Sequence, residues 1–164
     1  MASFNIADLY EAIADAIPDN PALVAGDVRY TFGELDRKAN QLAHALAARG
    51  VGKGSHVGLH MYNHAAYPVT MLACWKLRAV PININYRYVA DELKYMIDDA
   101  ELVAIVSHGI YAGLVDEANY EGSTLKKFVV VRDGFDGELP AHWEDYDAIC
   151  DGQPETRGFE ERSS

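Results

Sequence analysis

Cysteine is the scarcest reactive residue, with only Cys74 and Cys150 among 164 positions. The two form no C-x-x-C pair and no closely spaced framework, which argues against a zinc ribbon, a thioredoxin-like redox site and a secreted disulfide scaffold. A reducing compartment, the cytoplasm, is the expected location. No run of about 18 apolar residues occurs, so no transmembrane segment is expected. The opening Met1-Ala2-Ser3-Phe4-Asn5 also lacks the basic-then-apolar pattern of a secretory leader. Positive charge is scarce too: 14 Lys and Arg stand against 25 Asp and Glu, a net charge of −11. Such a surface repels nucleic acid and anionic membranes, and neither is an expected partner. Internal repeats and low-complexity tracts are absent.

What remains is an ordinary globular composition, 49% apolar and 24% charged, of a length that suits one domain. The charge is uneven, because Arg132 to Ser164 carries ten acids and three bases. Asn5 caps a predicted amphipathic helix with apolar residues at Ile6, Leu9, Ile13 and Ile17, closed by Pro18 and Pro21. Ala22-Leu23-Val24 and Val28-Arg29-Tyr30 flank Gly26-Asp27 as a hairpin. Thr31 and Glu34 form a capping box for a second helix whose apolar face is Leu35, Ala39, Leu42, Ala43 and Leu46, with Gly50 as its left-handed terminator.

From Ser55 a strand–helix rhythm sets in. Strands are expected at Val57–Met61, Val80–Ile84, Leu102–Val106 and Phe128–Val131. The intervening helices are one capped by Asn63 with Met71, Leu72 and Trp75 inward, one carrying Leu93, Met96 and Ile97, and a weaker one at Leu114 and Val115. Continuous apolar strands alternating with helices predict an α/β fold: a mostly parallel, doubly wound sheet with helices on both faces, preceded by the small hairpin. Two regions follow: an α/β subdomain at 1–131, then an acidic, mostly irregular connector at 132–164. Trp143, Tyr146 and Ile149, three apart, predict one short helix there. The stretch from Gln153 to Ser164 has Phe159 as its one large apolar residue and is expected to be exposed and irregular, as in a chain cut from something longer.

Candidate chemistry fails on register. Gly50-Val51-Gly52-Lys53-Gly54-Ser55 imitates a phosphate loop, but Ala47 stands where a Walker loop needs glycine and Gly54 where it needs Ser or Thr. It also runs from helix into strand, whereas a phosphate site runs from strand into helix. His60 and His64 are four apart, yet His60 falls in a strand and no third ligand is nominated, so no metal is assigned to them. Ser123-Thr124-Leu125-Lys126 has Ser-x-x-Lys spacing but precedes a strand, and is expected to be a turn. The neighbouring carboxylates Asp98-Asp99 and Glu160-Glu161 point apart. Cys74, predicted buried without a basic neighbour, is expected to be inert. Trp143 and Tyr146 are expected to pack locally. No catalytic, cofactor-binding or metal-binding residue is assigned.

The segment order nevertheless resembles the amino-terminal region of adenylate-forming acyl-CoA synthetases, the AMP-binding superfamily. The resemblance is carried by Tyr30-Thr31-Phe32-Gly33-Glu34-Leu35; by Asn40, Leu42, Ala43, Leu46, Gly50, Val51 and Gly54; and by Asn63, Leu72-Ala73 and Lys76. It continues through Ala79-Val80-Pro81-Ile82-Asn83, Tyr86-Arg87-Tyr88 and Glu92-Leu93. Tyr86, where the family has proline, resembles the actinobacterial fatty-acyl and steroid-side-chain CoA ligases more than amino-acid adenylating domains. The resemblance implies a ligase that uses ATP and Mg²⁺ to make acyl-AMP from a small-molecule carboxylic acid and then passes the acyl group to coenzyme A. It also implies that the family's Thr-Gly-x-Pro-Lys phosphate loop lies beyond this stretch, since no such segment occurs in it. The expectation is therefore an N-terminal fragment, inactive alone and partnered by the remainder of its parent chain, with an apolar surface that could form a homo-oligomer. The alternative is a free-standing α/β binding or dimerisation module without catalysis.

Overall fold

The computed structural model describes residues 4–162. Helix α1 (Ile6–Ala16) leads into a hairpin of β1 (Pro21–Ala25) and β2 (Val28–Thr31), then α2 (Phe32–Ala47). The alternating part comprises β3 (His56–His60), α3 (Ala66–Lys76), β4 (Val80–Asn83), α4 (Ala90–Asp99), β5 (Leu102–His108), α5 (Ala112–Ala118) and β6 (Lys127–Val131). It ends with β7 (Trp143–Asp145) and α6 (Tyr146–Cys150). Strands β3 to β7 form one sheet in the order β4-β3-β5-β6-β7, every pair parallel. The expected doubly wound sheet is therefore present, and fully parallel.

Side-chain alternation along the central strands divides two cores. Ala104, Val106, Val129 and Val131 join Leu35, Leu42, Leu46, Val69 and Ala73 of α2 and α3 on one face. Ile105, Phe128 and Val130 join Leu93, Ile97 and Val115 of α4 and α5 on the other. This is the two-sided cover that uninterrupted apolar strands require. Pro81 is accommodated because β4 is an edge strand. Gly58 in β3 has no room for a side chain: an added Cβ would lie 2.7 Å from Ile84 Cδ1 and 3.0 Å from Leu102 Cδ1. Gly58→Val is expected to cost about 1–3 kcal/mol by overpacking, measurable as a lowered urea midpoint with an unchanged slope.

Local signals hold where the bonds are local. The Thr31–Glu34 capping box is formed in both directions, and Gly26 and Gly50 take left-handed φ of 58° and 86°. Ser123 Oγ accepts from the Leu125 amide in a turn. Other expectations change. Asn63 does not cap α3; the His64 Nδ1 accepts from the Ala66 amide at 3.1 Å instead. Along α3, Leu72 is buried but Met71 and Trp75 are half-buried, and the fully enclosed positions are Thr70, Ala73, Cys74 and Lys76. Trp143 does not continue a helix with Tyr146 and Ile149. It opens β7, pairs opposite Phe128, and donates its indole N–H to Asp116 of α5 at 3.0 Å.

Two features depend on distant residues. Lys76 is 1% exposed, with its ammonium on Glu11 of α1 and on Asp36 of α2 at 2.7 Å. Arg157 and Arg162 reach the same acids from the end of the chain. Arg157 binds Asp36 at 3.0 Å and Asp15 at 2.9 Å, and Arg162 binds Asp8 and Glu11. The described residues from Gln153 onward have no helix or strand. They are nevertheless strapped along α1 and α2 by these pairs, by Asn40 Nδ2 to the Glu155 carbonyl at 2.7 Å, and by Phe159 against the His44 ring.

Candidate functional site

A doubly wound sheet offers a ligand crevice at the carboxyl ends of the strands where successive connections leave in opposite directions. Here that point lies between β3 and β5. The chain leaves β3 for β4 on one side and leaves β5 for β6 on the other. The residues at this edge are His60 at the end of β3 and Ser107 and His108 at the end of β5, with His60 and Ser107 in register. Tyr62 and His64 follow β3, Tyr86 follows β4, Tyr111 follows β5 and Asp133 follows β6. Sequence spacing could not assemble them, because they come from four connections.

The rings form two tiers. His60 stacks at 5.0 Å on Tyr111, and His108 lies edge-on to Tyr62 at 4.2 Å and to His64 at 5.3 Å. Tyr62, Tyr86 and Tyr111 touch one another above them at 6.1–6.4 Å, with the Arg87 guanidinium 5.5 Å over the Tyr86 ring. Asp133 sits in left-handed backbone, φ 41°, a conformation that costs energy in a residue other than glycine. Its carboxylate accepts from the Tyr62 hydroxyl at 2.9 Å and stands 3.8 and 3.9 Å from His64 Nε2 and His108 Nε2. That bond pushes the Tyr62 phenol above its usual range.

Burial favours the neutral form of both enclosed histidines. Burial, and secondarily the adjacent His108 imidazole, pulls His60 down to about 4. Burial likewise lowers His108, against an opposing pull from Asp133. Ser107 Oγ lies 3.2 Å from His60 Nδ1 and donates to the His108 carbonyl. With the Ser107 hydrogen on that carbonyl, Oγ accepts from a His60 Nδ1–H, the tautomer in which Nε2 is a bare acceptor. His60 Nε2 and both nitrogens of His108 have no hydrogen-bond partner. Unpaired buried polar atoms are uncommon and costly.

A cleft of about 580 Å³ opens beside this cluster. Its walls include Lys38 and Gln41 of α2, His64, Arg132 and Asp133, and Tyr146 of α6. Cys150 also lines it, and burial pushes its thiol up to about 12, as it does the Cys74 thiol inside α3. Neither is a poised nucleophile. His60 and His64 lie in the same cluster without sharing a ligand. Among the described residues, no group of three or more His, Cys, Asp or Glu is placed to hold a metal ion.

The glycine cluster at 50–55 does not fit a nucleotide phosphate. Amides of the glycine cluster are already used: Gly50 on Ala47, Val51 on Leu46, Gly52 on Ser55 Oγ, Gly54 on Arg78 and Ser55 on Gly52. A phosphate cradle needs such amides free and convergent. The segment is a helix-to-strand turn.

Residues 10–158 match the family described as AMP-binding enzyme. The chain is similar to a medium/long-chain-fatty-acid–CoA/3-oxocholest-4-en-26-oate–CoA ligase of Mycobacterium marinum, at 43% identity over 97% of this chain and 29% of that protein. It is also similar to the 3-oxocholest-4-en-26-oate–CoA ligase of Rhodococcus rhodochrous, at 36% identity over 99% of this chain and 29% of the other. Among solved structures, an anthranilate CoA ligase in complex with anthranoyl-AMP superposes with a TM-score of 0.85 at 24% identity, covering 93% of this chain and 29% of that one. A benzoate CoA ligase from Burkholderia xenovorans gives 0.79 at 22%, covering 93% and 29%. These superpositions speak to the fold. The chain spans about 29% of the length of these relatives.

Proposed function

Since this chain belongs to the AMP-binding enzyme family, we propose that it forms the N-terminal α/β layer of an ATP-dependent acyl-CoA ligase. The carrying observation is the 43% identity over almost the whole chain to a protein named for ligating fatty and 3-oxocholest-4-en-26-oic acids to coenzyme A. The substrate is then a medium- or long-chain fatty acid or a steroid-side-chain acid. The free-standing module is not favoured, because the relatives matched over nearly all of this chain are ligases by name.

In that reading the acid's carboxylate would attack the α-phosphorus of ATP and expel pyrophosphate to give acyl-AMP, the coenzyme A thiol would then displace AMP to give the thioester, and Mg²⁺ would supply charge neutralisation on the phosphates. Activation by a good leaving group is the chemistry these groups supply. No phosphate-binding step is assigned to the residues described here, whose glycine-cluster amides are already engaged. Their part is architectural: β3, β5 and β6 hold the His60–His108–Tyr62 edge, and the two-sided core keeps that edge rigid. We assign residues 1–131 as the subdomain proper and 132–164 as an acidic connector that adds β7 and α6 to it on the way to the ATP-binding part, with the cytoplasm as the place of action.

Two assays test this. The 164-residue chain is expected to show no acid-dependent ATP–pyrophosphate exchange and no saturable Mg-ATP heat in calorimetry. A chain extended to the relatives' length is expected to exchange pyrophosphate with fatty or steroid acids and to release acyl-CoA when coenzyme A is added. Turnover by the 164 residues alone, or none by the extended chain, overturns the proposal.

A further inference from the structure

Helix α1 is rotated so that Ala7, Glu11 and Ala14 face inward, while Ile6, Leu9, Ile13 and Ile17 are between 40% and 55% exposed. The apolar stripe that marks the helix in sequence points outward, and a carboxylate takes the inner face. Burying the stripe on α2 would carry Glu11 away from Lys76, so the charge pair holds this rotation. That cluster is not balanced by the lysine alone. Glu11 and Asp36 are both buried against one ammonium, which leaves an excess negative charge where unpaired charge is costly. Arg157 and Arg162 supply the missing positive charge, and both belong to the segment that follows α6.

We infer that residues 153–162 form an ionic latch: the segment swings off α1 and α2 as a unit, turning at Gly152, while the sheet stays folded, and the excess charge of Glu11 and Asp36 draws it shut. Most of its attachments are of a kind that water can replace. Asn40, Gln41 and His44 of α2 reach the carbonyls of Glu155, Gln153 and Thr156. The segment has no helix or strand, and its one large apolar contact is Phe159, half-buried against the His44 ring. A stretch with so few apolar contacts opens at a lower free energy than the core. Gly152 takes a left-handed φ of 69° with nothing packed on it, so the chain can swing there without displacing a neighbour. The arginines set the direction of the equilibrium. Arg162 is inserted between Asp8 and Glu11, and Arg157 spans Asp15 and Asp36. Opening withdraws both cations and leaves two buried carboxylates to one lysine, which makes the closed form the resting state and ties the seating of α1 to it.

Digestion of the folded 164-residue chain with a glutamate-specific protease tests this, since cutting at Glu155, Glu160 and Glu161 reads the population in which the segment is free. Each rate is divided by that of a free peptide of residues 153–164 in the same buffer. The latched segment is expected to be cut at least about tenfold more slowly than the peptide, with a urea dependence well below the slope of global unfolding. Arg162→Gln, checked for an unchanged circular-dichroism spectrum, is expected to speed cutting at least about tenfold, the weight of one charge-assisted pair. Arg37→Gln removes an exposed pairing with Glu155 outside the cluster and is expected to change the rate by less than about threefold. Raising NaCl from about 0.05 to about 0.5 M is expected to speed cutting at least about threefold. Lys76→Met acts in the opposite sense: it leaves both carboxylates to the arginines, so cutting is expected to slow even though the protein as a whole is destabilised. A segment cut at the peptide's rate, or cut only as fast as the sheet unfolds, overturns the inference. So does Arg162→Gln cut no faster than Arg37→Gln, a rate indifferent to salt, or faster cutting in Lys76→Met.

Discussion

Lys76→Met is expected to lower the unfolding free energy by about 3–5 kcal/mol, read from urea denaturation followed by tryptophan fluorescence. Methionine nearly reproduces the length of the lysine stem, so little of the loss is volume. The cost is electrostatic. Glu11 and Asp36 are each buried, and removing the ammonium leaves two carboxylates competing for Arg157 and Arg162. Arg157 approaches from the partly exposed strap, where ion pairs are screened and are worth about 1 kcal/mol or less, while Arg162 is nearly enclosed and already shared between Asp8 and Glu11. The double substitution Lys76→Met with Asp36→Asn removes one stranded charge with its cation and is expected to recover a large part of the loss. A Lys76→Met loss under about 1 kcal/mol, or a double variant no better than the single one, contradicts the role given to this cluster.

The same lysine shows where sequence reading runs out. The parallel sheet, the hairpin and the second helix were legible because their causes are local: β-strand runs 102–106 and 128–131, the left-handed glycines 26 and 50, and the Thr31–Glu34 box. Lys76 carried no such signal. A lysine at the end of an apolar helix reads as solvated, and its burial is decided by Glu11, 65 positions away, and Asp36, 40 away. The inverted face of α1 has the same origin, since periodicity finds an apolar stripe but not the direction it turns. Three-residue spacing predicts a helix at Trp143 because it ignores the open edge of β6 and the indole's need for the Asp116 carboxylate. At the candidate site, the four-residue spacing of His60 and His64 names no third ligand. Their association with His108, Tyr111 and Asp133 depends on the strand order β3-β5-β6, which one sequence does not reveal.

Acid is expected to destabilise the fold before its carboxylates titrate, because of the buried histidines. His60 has an ordinary value of 6.5 and a folded value of about 4, so the folded state favours the neutral ring. Its contribution is complete above pH 6.5 and is lost as the pH falls through the folded value of about 4. A shift of that size corresponds to about 3 kcal/mol. A second proton would create a cation against His108 and leave an N–H on Nε2, an atom with no acceptor beside it. His108 moves in the same direction. The charges facing that ring are Asp133 and His64, with Tyr62 against its edge. The ion-paired carboxylates Asp15 and Glu144 are held below their ordinary values of 3.8 and 4.5, so their contributions disappear in a lower window, as the pH falls below those values. Urea unfolding at pH 7.5 and 4.5 is therefore expected to differ by at least about 2 kcal/mol. His60→Phe, which keeps a flat ring against Tyr111 but cannot take a proton, is expected to remove most of that difference while lowering stability at pH 7.5 through the lost Ser107 bond. His60→Gln, smaller and also without a titrating group, is expected to flatten the dependence in the same way. A pH dependence unchanged in both variants would show that His60 is solvated in the folded protein, contrary to its place beneath Tyr111.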